Sequence, residues 1–172
     1  MRQISEIRQK VEKLLAANRV RKPPVPVEKI AERKGLDVRY APFEGELSGA
    51  LVRKPDEAFI GVNSLHSITR QRFTIAHELA HFILHEGIST HVDESFKVNW
   101  RNGESSKAVN PEEMEANRFA AELLMPTRLI VRDLEELRQF DRNAIDQLAR
   151  RYKVSSQSMK IRLGNFGIEV PE

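Results

Sequence analysis

The chain has no cysteine. That excludes disulfides, a thiolate nucleophile and cysteine-ligated zinc. It suits a cytoplasmic protein, or one indifferent to redox compartment. Long hydrophobic runs are missing too. Even with glycine counted, the longest apolar stretch runs only from Ala58 to Val62. A membrane span needs about 20 apolar residues and a signal-peptide core roughly 7–15, so neither is expected. There is no internal repeat and no low-complexity tract, which sets aside solenoids and biased linkers.

What remains is the composition of a soluble globular protein: 172 residues, 40% apolar and 31% charged. A chain of this length buries roughly 70% of its unfolded surface, enough for one domain with a true core. The net charge is only +3, but it is unevenly placed. Residues 1–40 carry eleven Lys and Arg against five Asp and Glu, whereas residues 41–126 carry eight against thirteen. The last 46 residues carry nine against seven. Basic ends of this kind either touch nucleic acid or form ordinary solvated helix faces.

Periodicity places the elements. Ile4, Ile7, Val11 and Leu14 recur at helical spacing, with Ser5 as the expected N-cap and an end near Asn18. Pro23-Pro24-Val25-Pro26 cannot continue that helix. A short helix over 27–34 closes on Gly35. Strands are expected at about 36–40, 47–53 and 58–62. A strong helical period then covers 64–85, with Gly87 ending it. Residues 87–109 read as a polar loop with a weak strand at 96–100. Asn110-Pro111-Glu112-Glu113 is a helix start: Asn caps, Pro takes the first helical position, and the acids complement the dipole. Helices at about 127–138, 141–152 and 155–163 complete an α+β chain with a short antiparallel or mixed sheet of about three strands. Its expected parts are an N-terminal helix (1–22), a core (23–126) and a C-terminal helical segment (127–172).

The chemistry centres on His77-Glu78-Leu79-Ala80-His81, an H-E-x-x-H inside the long helix. Residues at i and i+4 share a helix face. Two imidazoles there can reach one ion at about 2 Å from each nitrogen, which suits zinc. Glu78 flanks the ion and is placed to take a proton from a metal-activated water. The apolar neighbours Ala76, Ala80, Ile83 and Leu84 mark a helix meant for burial. Buried histidines and a glutamate would be costly there without something to satisfy them. A third ligand is required. His85 is excluded, because eight residues of helix put it about 12 Å along from His77. His66 and His91 stay open, and the acidic helix 111–125 offers Glu112, Glu115 and Glu122 on one face with Phe119.

Two stretches now carry a resemblance. Residues 72–85 (RFTIAHELAHFILH) and 115–126 (EANRFAAELLMP) resemble the paired H-E-L-x-H and E-A-N/D-x-F-A-A-x-L-L-M-P blocks of the ImmA/IrrE metallopeptidases, a zincin-like family. The resemblance implies one zinc held by His77, His81 and Glu115, with Glu112 as the fallback ligand and Glu78 as general base. Manganese or iron would suit the same donors. Glu122 would either hydrogen-bond a ligating histidine or pair with Arg118, and the oxyanion donor would come from His91, Arg118 or Tyr152. A substrate could add as a strand along Ser48-Gly49-Ala50-Leu51-Val52. The implied function is a zinc-dependent endopeptidase that cleaves a helix–turn–helix repressor encoded nearby, in prophage, mobile-element, stress or toxin–antitoxin-like regulation.

The tail carries a second signal. Ile145, Leu148, Ala149, Tyr152, Val154, Ser155, Met159 and Leu163 have helix–turn–helix spacing, with basic Arg150, Arg151, Lys153, Lys160 and Arg162. Residues 141–163 therefore either contact DNA or pack on the core as a cap. The competing function is a regulator that binds DNA or a repressor without cutting, around a structural or vestigial metal site. Glu78 argues against it, since a structural site needs no base and would be closed by a fourth protein ligand.

Overall fold

A computed structural model describes residues 2–44, 47–54, 56–85, 90–93, 110–137 and 142–168. Its elements are α1 (Ile4–Ala17), α2 (Val27–Arg33), β1 (Asp37–Ala41), β2 (Gly49–Lys54), β3 (Glu57–Asn63), α3 (Ile68–Leu84), β4 (Thr90–Asp93), α4 (Pro111–Leu124), α5 (Thr127–Glu135), α6 (Arg142–Tyr152) and α7 (Ser156–Gly164).

The sheet is mixed and four-stranded, in the order β1-β3-β2-β4. β1 runs parallel to β3, with Val38 opposite Ile60. β2 runs antiparallel to both β3 and β4, with Leu51 opposite Ile60 on one side and His91 on the other. The expected strands form β1 to β3. The fourth arises inside the stretch read as a loop. Thr90-His91-Val92-Asp93 has too few apolar residues to announce a strand, and it is the open edge of β2 that supplies its hydrogen bonds. β2 is therefore an inner strand, so the suggested substrate edge along 48–52 is already covered. The weak strand at 96–100 and the helix stop at Gly87 lie outside the described residues.

Helix ends follow from local chemistry. α1 begins at Ile4, not after Ser5, and the Gln3 N–H donates to the Glu6 carboxylate at 3.3 Å. α3 starts later than its period suggests. Residues after β3 first turn back, with the His66 N–H on the Asn63 carbonyl, and Ser67 then caps the helix. Asn110 caps α4 through the Glu112 N–H at 2.9 Å, with Pro111 at the first position as expected. Gly35 sits at φ +81°, the left-handed conformation that closes α2.

α3 packs against β2 and β3 on one side and against α4 on another, while α1 covers α4. Ile75, Ala76, Leu79 and Ala80 of α3 are fully buried, with Leu51, Ile60 and Val62 of the sheet. Sheet and helix touch at Gly49, where a Cβ would lie 2.3 Å from Thr74 Cγ2 and 2.7 Å from the Gly61 carbonyl oxygen. α5, α6 and α7 share this same core through Leu129, Ile130, Ile145, Tyr152, Met159 and Leu163.

Candidate metal centre

α3 and α4 build the site between them. Along α3 and its C-cap, His77, His81 and His85 follow one another at four-residue intervals, all buried. The Nε2 atoms of His77 and His81 stand 3.0 Å apart. Each lies 3.2 Å from a carboxylate oxygen of Glu113: Oε2 for His77, Oε1 for His81. Among the described residues, His77, His81 and Glu113 form the group able to hold a metal ion. The Glu113 side chain is 34% exposed, so the centre opens to solvent on that side.

The donors fit a cation. Tetrahedral zinc with bonds of 2.0–2.1 Å has ligand atoms about 3.3 Å apart, close to the spacings found. The outer ring nitrogens fit as well. His77 Nδ1 lies 3.0 Å from Asn117 Oδ1 and His81 Nδ1 lies 3.0 Å from His85 Nδ1. With the Nδ1–H groups donating outward, both Nε2 lone pairs converge with the Glu113 carboxylate on one point. A cation bound among these atoms would satisfy that convergence.

The carboxylate brought to the two histidines is Glu113 rather than the expected Glu115. Glu115 does not join His77 and His81. Its carboxylate accepts from His85 Nε2 at 3.3 Å, from Arg2 Nη1 at 2.6 Å and from the Arg2 backbone N–H. Burial by itself pushes the Glu115 carboxyl up, but Arg2 and His85 overcome this and hold it down to about 2. Glu112 is exposed and lies outside the cluster. Residues two apart on a helix point about 200° apart around its axis, so a helix offers an ion Glu113 or Glu115, not both.

Other expected roles move elsewhere. Glu122 contacts neither a ligating histidine nor Arg118 through the bonds seen. It accepts from the Thr127 N–H at 2.9 Å and from Arg162, capping α5 and docking α7. Tyr152 is fully buried and donates to Asp133 at 2.8 Å, so it cannot face a substrate. Burial, with that hydrogen bond, pushes its phenol well above the ordinary value. Arg118 lines a cleft of about 550 Å³ with Asn117, Arg8 and Phe166. His91 falls on β4, and its side chain lies outside the described residues. His66 precedes α3, eleven positions before His77, and is not in the cluster. Glu78 is fully buried.

Three participants were not legible as such in the sequence: Glu113, Asn117 and Arg2. The i, i+4 pair Glu113–Asn117 is the one local signal, since it mirrors His77–His81 across the helix contact.

The Peptidase_M78 family model, an IrrE N-terminal-like domain, matches residues 31–164. The chain belongs to this family. It is 33% identical over 126 residues to the radiation response metalloprotease IrrE of Deinococcus radiodurans, a match covering 72% of this chain and 35% of that protein. The chain therefore spans about a third of that relative's length. A solved Mycobacterium tuberculosis transcriptional regulator superposes with a TM-score of 0.62 at 21% identity, over 92% of this chain and 46% of its own. At that identity the likeness is one of fold. Among the described residues, no helix is long and apolar enough to cross a membrane.

Proposed function

We propose that this protein is a cytoplasmic, zinc-dependent endopeptidase whose substrate is a helix–turn–helix repressor encoded nearby. The observation that carries the reading is the convergence of His77 Nε2, His81 Nε2 and the Glu113 carboxylate, with Glu78 beside them on α3. When bound, zinc supplies Lewis acidity toward the scissile carbonyl and a lowered water pKa. His77, His81 and Glu113 would hold it. Glu78, between the two histidines in sequence, takes the proton of the attacking water and returns it to the leaving nitrogen. Arg118 and His91 are the proposed oxyanion donors.

A docking role for the C-terminal helices is supported over DNA binding. Ser155 caps α7 through the Ser158 N–H at 3.0 Å, and residues 153–155 join α6 to α7. Two of the segment's basic residues are engaged within the protein. Arg162 is buried on Glu122 and the Met125 carbonyl, and Arg151 pairs with Asp133 at 3.2 Å.

The test pairs wild type with Glu78→Gln. Both should carry one metal per chain, and on co-expression with the neighbouring repressor only wild type should cleave it. Equal cleavage by Glu78→Gln, or no metal in either protein, would overturn the reading.

A further inference from the structure

The mechanism above uses His77, Glu78, His81 and Glu113, with Arg118 and His91 as oxyanion donors. It leaves unused a buried histidine and a buried carboxylate that touch the same site. His85 is 6% exposed and Glu115 4% exposed. His81 Nδ1 meets His85 Nδ1 at 3.0 Å, and His85 Nε2 meets Glu115 Oε2 at 3.3 Å. Arg2 closes the far end with its guanidinium on Glu115 and with a second bond to the Leu84 carbonyl.

Donor and acceptor rules orient this chain in one direction. A carboxylate that accepts from the Arg2 guanidinium and backbone N–H can only accept again, so His85 Nε2 carries the proton and donates to it. With its proton on Nε2, His85 presents Nδ1 to accept from His81 Nδ1–H at 3.0 Å. That leaves the His81 Nε2 lone pair facing His77 and Glu113. Asn117 Oδ1 does the same for His77 in a single step.

We propose that His85 and Glu115 are positioning residues for the metal: a histidine–carboxylate chain, anchored by Arg2, that fixes the tautomer and ring rotation of His81. Glu113 and Glu115 of α4 thereby divide the work. Glu113 faces the ion, and Glu115 holds the histidine that holds a ligand. The proposal rests on the metal-site reading above. Outer partners of ligating histidines typically contribute 10–100-fold to metal affinity.

The experiment uses the full chain and zinc alone, with dissociation constants from competition against a chromophoric chelator. The cobalt-substituted protein gives a visible absorption spectrum as the second readout. His85→Leu should weaken zinc 10–100-fold and shift the cobalt bands. His85→Gln, whose amide can accept from His81 and donate to Glu115, should restore most of the affinity and the wild-type spectrum. Glu115→Gln, nearly unchanged in shape, should weaken zinc severalfold and covers the case in which His85→Leu does not fold. Glu113→Gln is the control and should lose zinc far more severely. Wild-type affinity and spectrum in either His85→Leu or Glu115→Gln, with Glu113→Gln impaired, would overturn the chain but not the metal site. Failure of His85→Gln to recover while His85→Leu is folded and weak would also overturn it, since packing alone would then explain the loss. Undiminished zinc in Glu113→Gln would overturn the metal-site reading itself.

Discussion

Arg162→Met tests whether the C-terminal helices are bound into the core. The Arg162 and Glu122 side chains are 9% and 6% exposed and ion-paired. Arg162 also donates to the Met125 carbonyl at 3.1 Å and to Thr127 Oγ1 at 3.1 Å, and its guanidinium lies 4.8 Å from the Phe166 ring centre. Methionine keeps much of the stem volume but removes every donor. Glu122 is then left buried with the Thr127 donors, and with Arg8 at 3.8 Å. Removing one partner of a buried pair costs about 3–5 kcal/mol. The surviving donors place this case near 3, a large part of the roughly 5–15 kcal/mol that holds a domain together. For a chain of this size that lowers Tm by roughly 6–12 °C. Urea titration of wild type, Arg162→Met, Glu122→Gln and the double variant measures both the loss and the coupling, expected at about 2 kcal/mol. A loss under about 1 kcal/mol with no coupling would show Arg162 to be a solvated charge. The tail would then regain its claim to DNA.

Three further outcomes follow from the packing. Gly49→Val should destabilise by about 2–3 kcal/mol in urea melts, because Thr74 can shift but the Gly61 backbone cannot; a neutral substitution would deny the close approach of β2 to α3. Tyr152→Phe should cost about 1–3 kcal/mol by removing a buried donor from Asp133, and an unchanged midpoint would refute that bond. Burial, reinforced by Arg70, lowers the His66 pKa, so the unfolded chain takes up more protons than the folded one. Stability should therefore fall as pH drops through about 6.5, and His66→Gln should lessen that fall between pH 7 and 5; identical pH profiles would exclude the effect.

The elements that announced themselves were those with long local periods. α1, α3, α4 and the three C-terminal helices lie within a few residues of where spacing and caps put them. β4 did not announce itself, because a four-residue strand takes its hydrogen bonds from β2, a partner some forty residues away. The site divides in the same way. His77, Glu78 and His81 stand on one helix, and their common face follows from 100° per residue. The choice between Glu113 and Glu115 does not, for each lies on an acidic helix with a sensible local pattern.

From the sequence alone came the histidine pair on one helix face, the glutamate between them, the family resemblance and the mixed helix-and-strand class, all of which rest on local patterns. Only tertiary packing decided which edge of α4 turns toward α3, that Arg2 reaches across from the first residues to Glu115, and that Glu122 and Tyr152 serve the core. The physical reason is that helical spacing sets the angle between two residues of one helix, while the rotation of one helix against another is set by the burial of both.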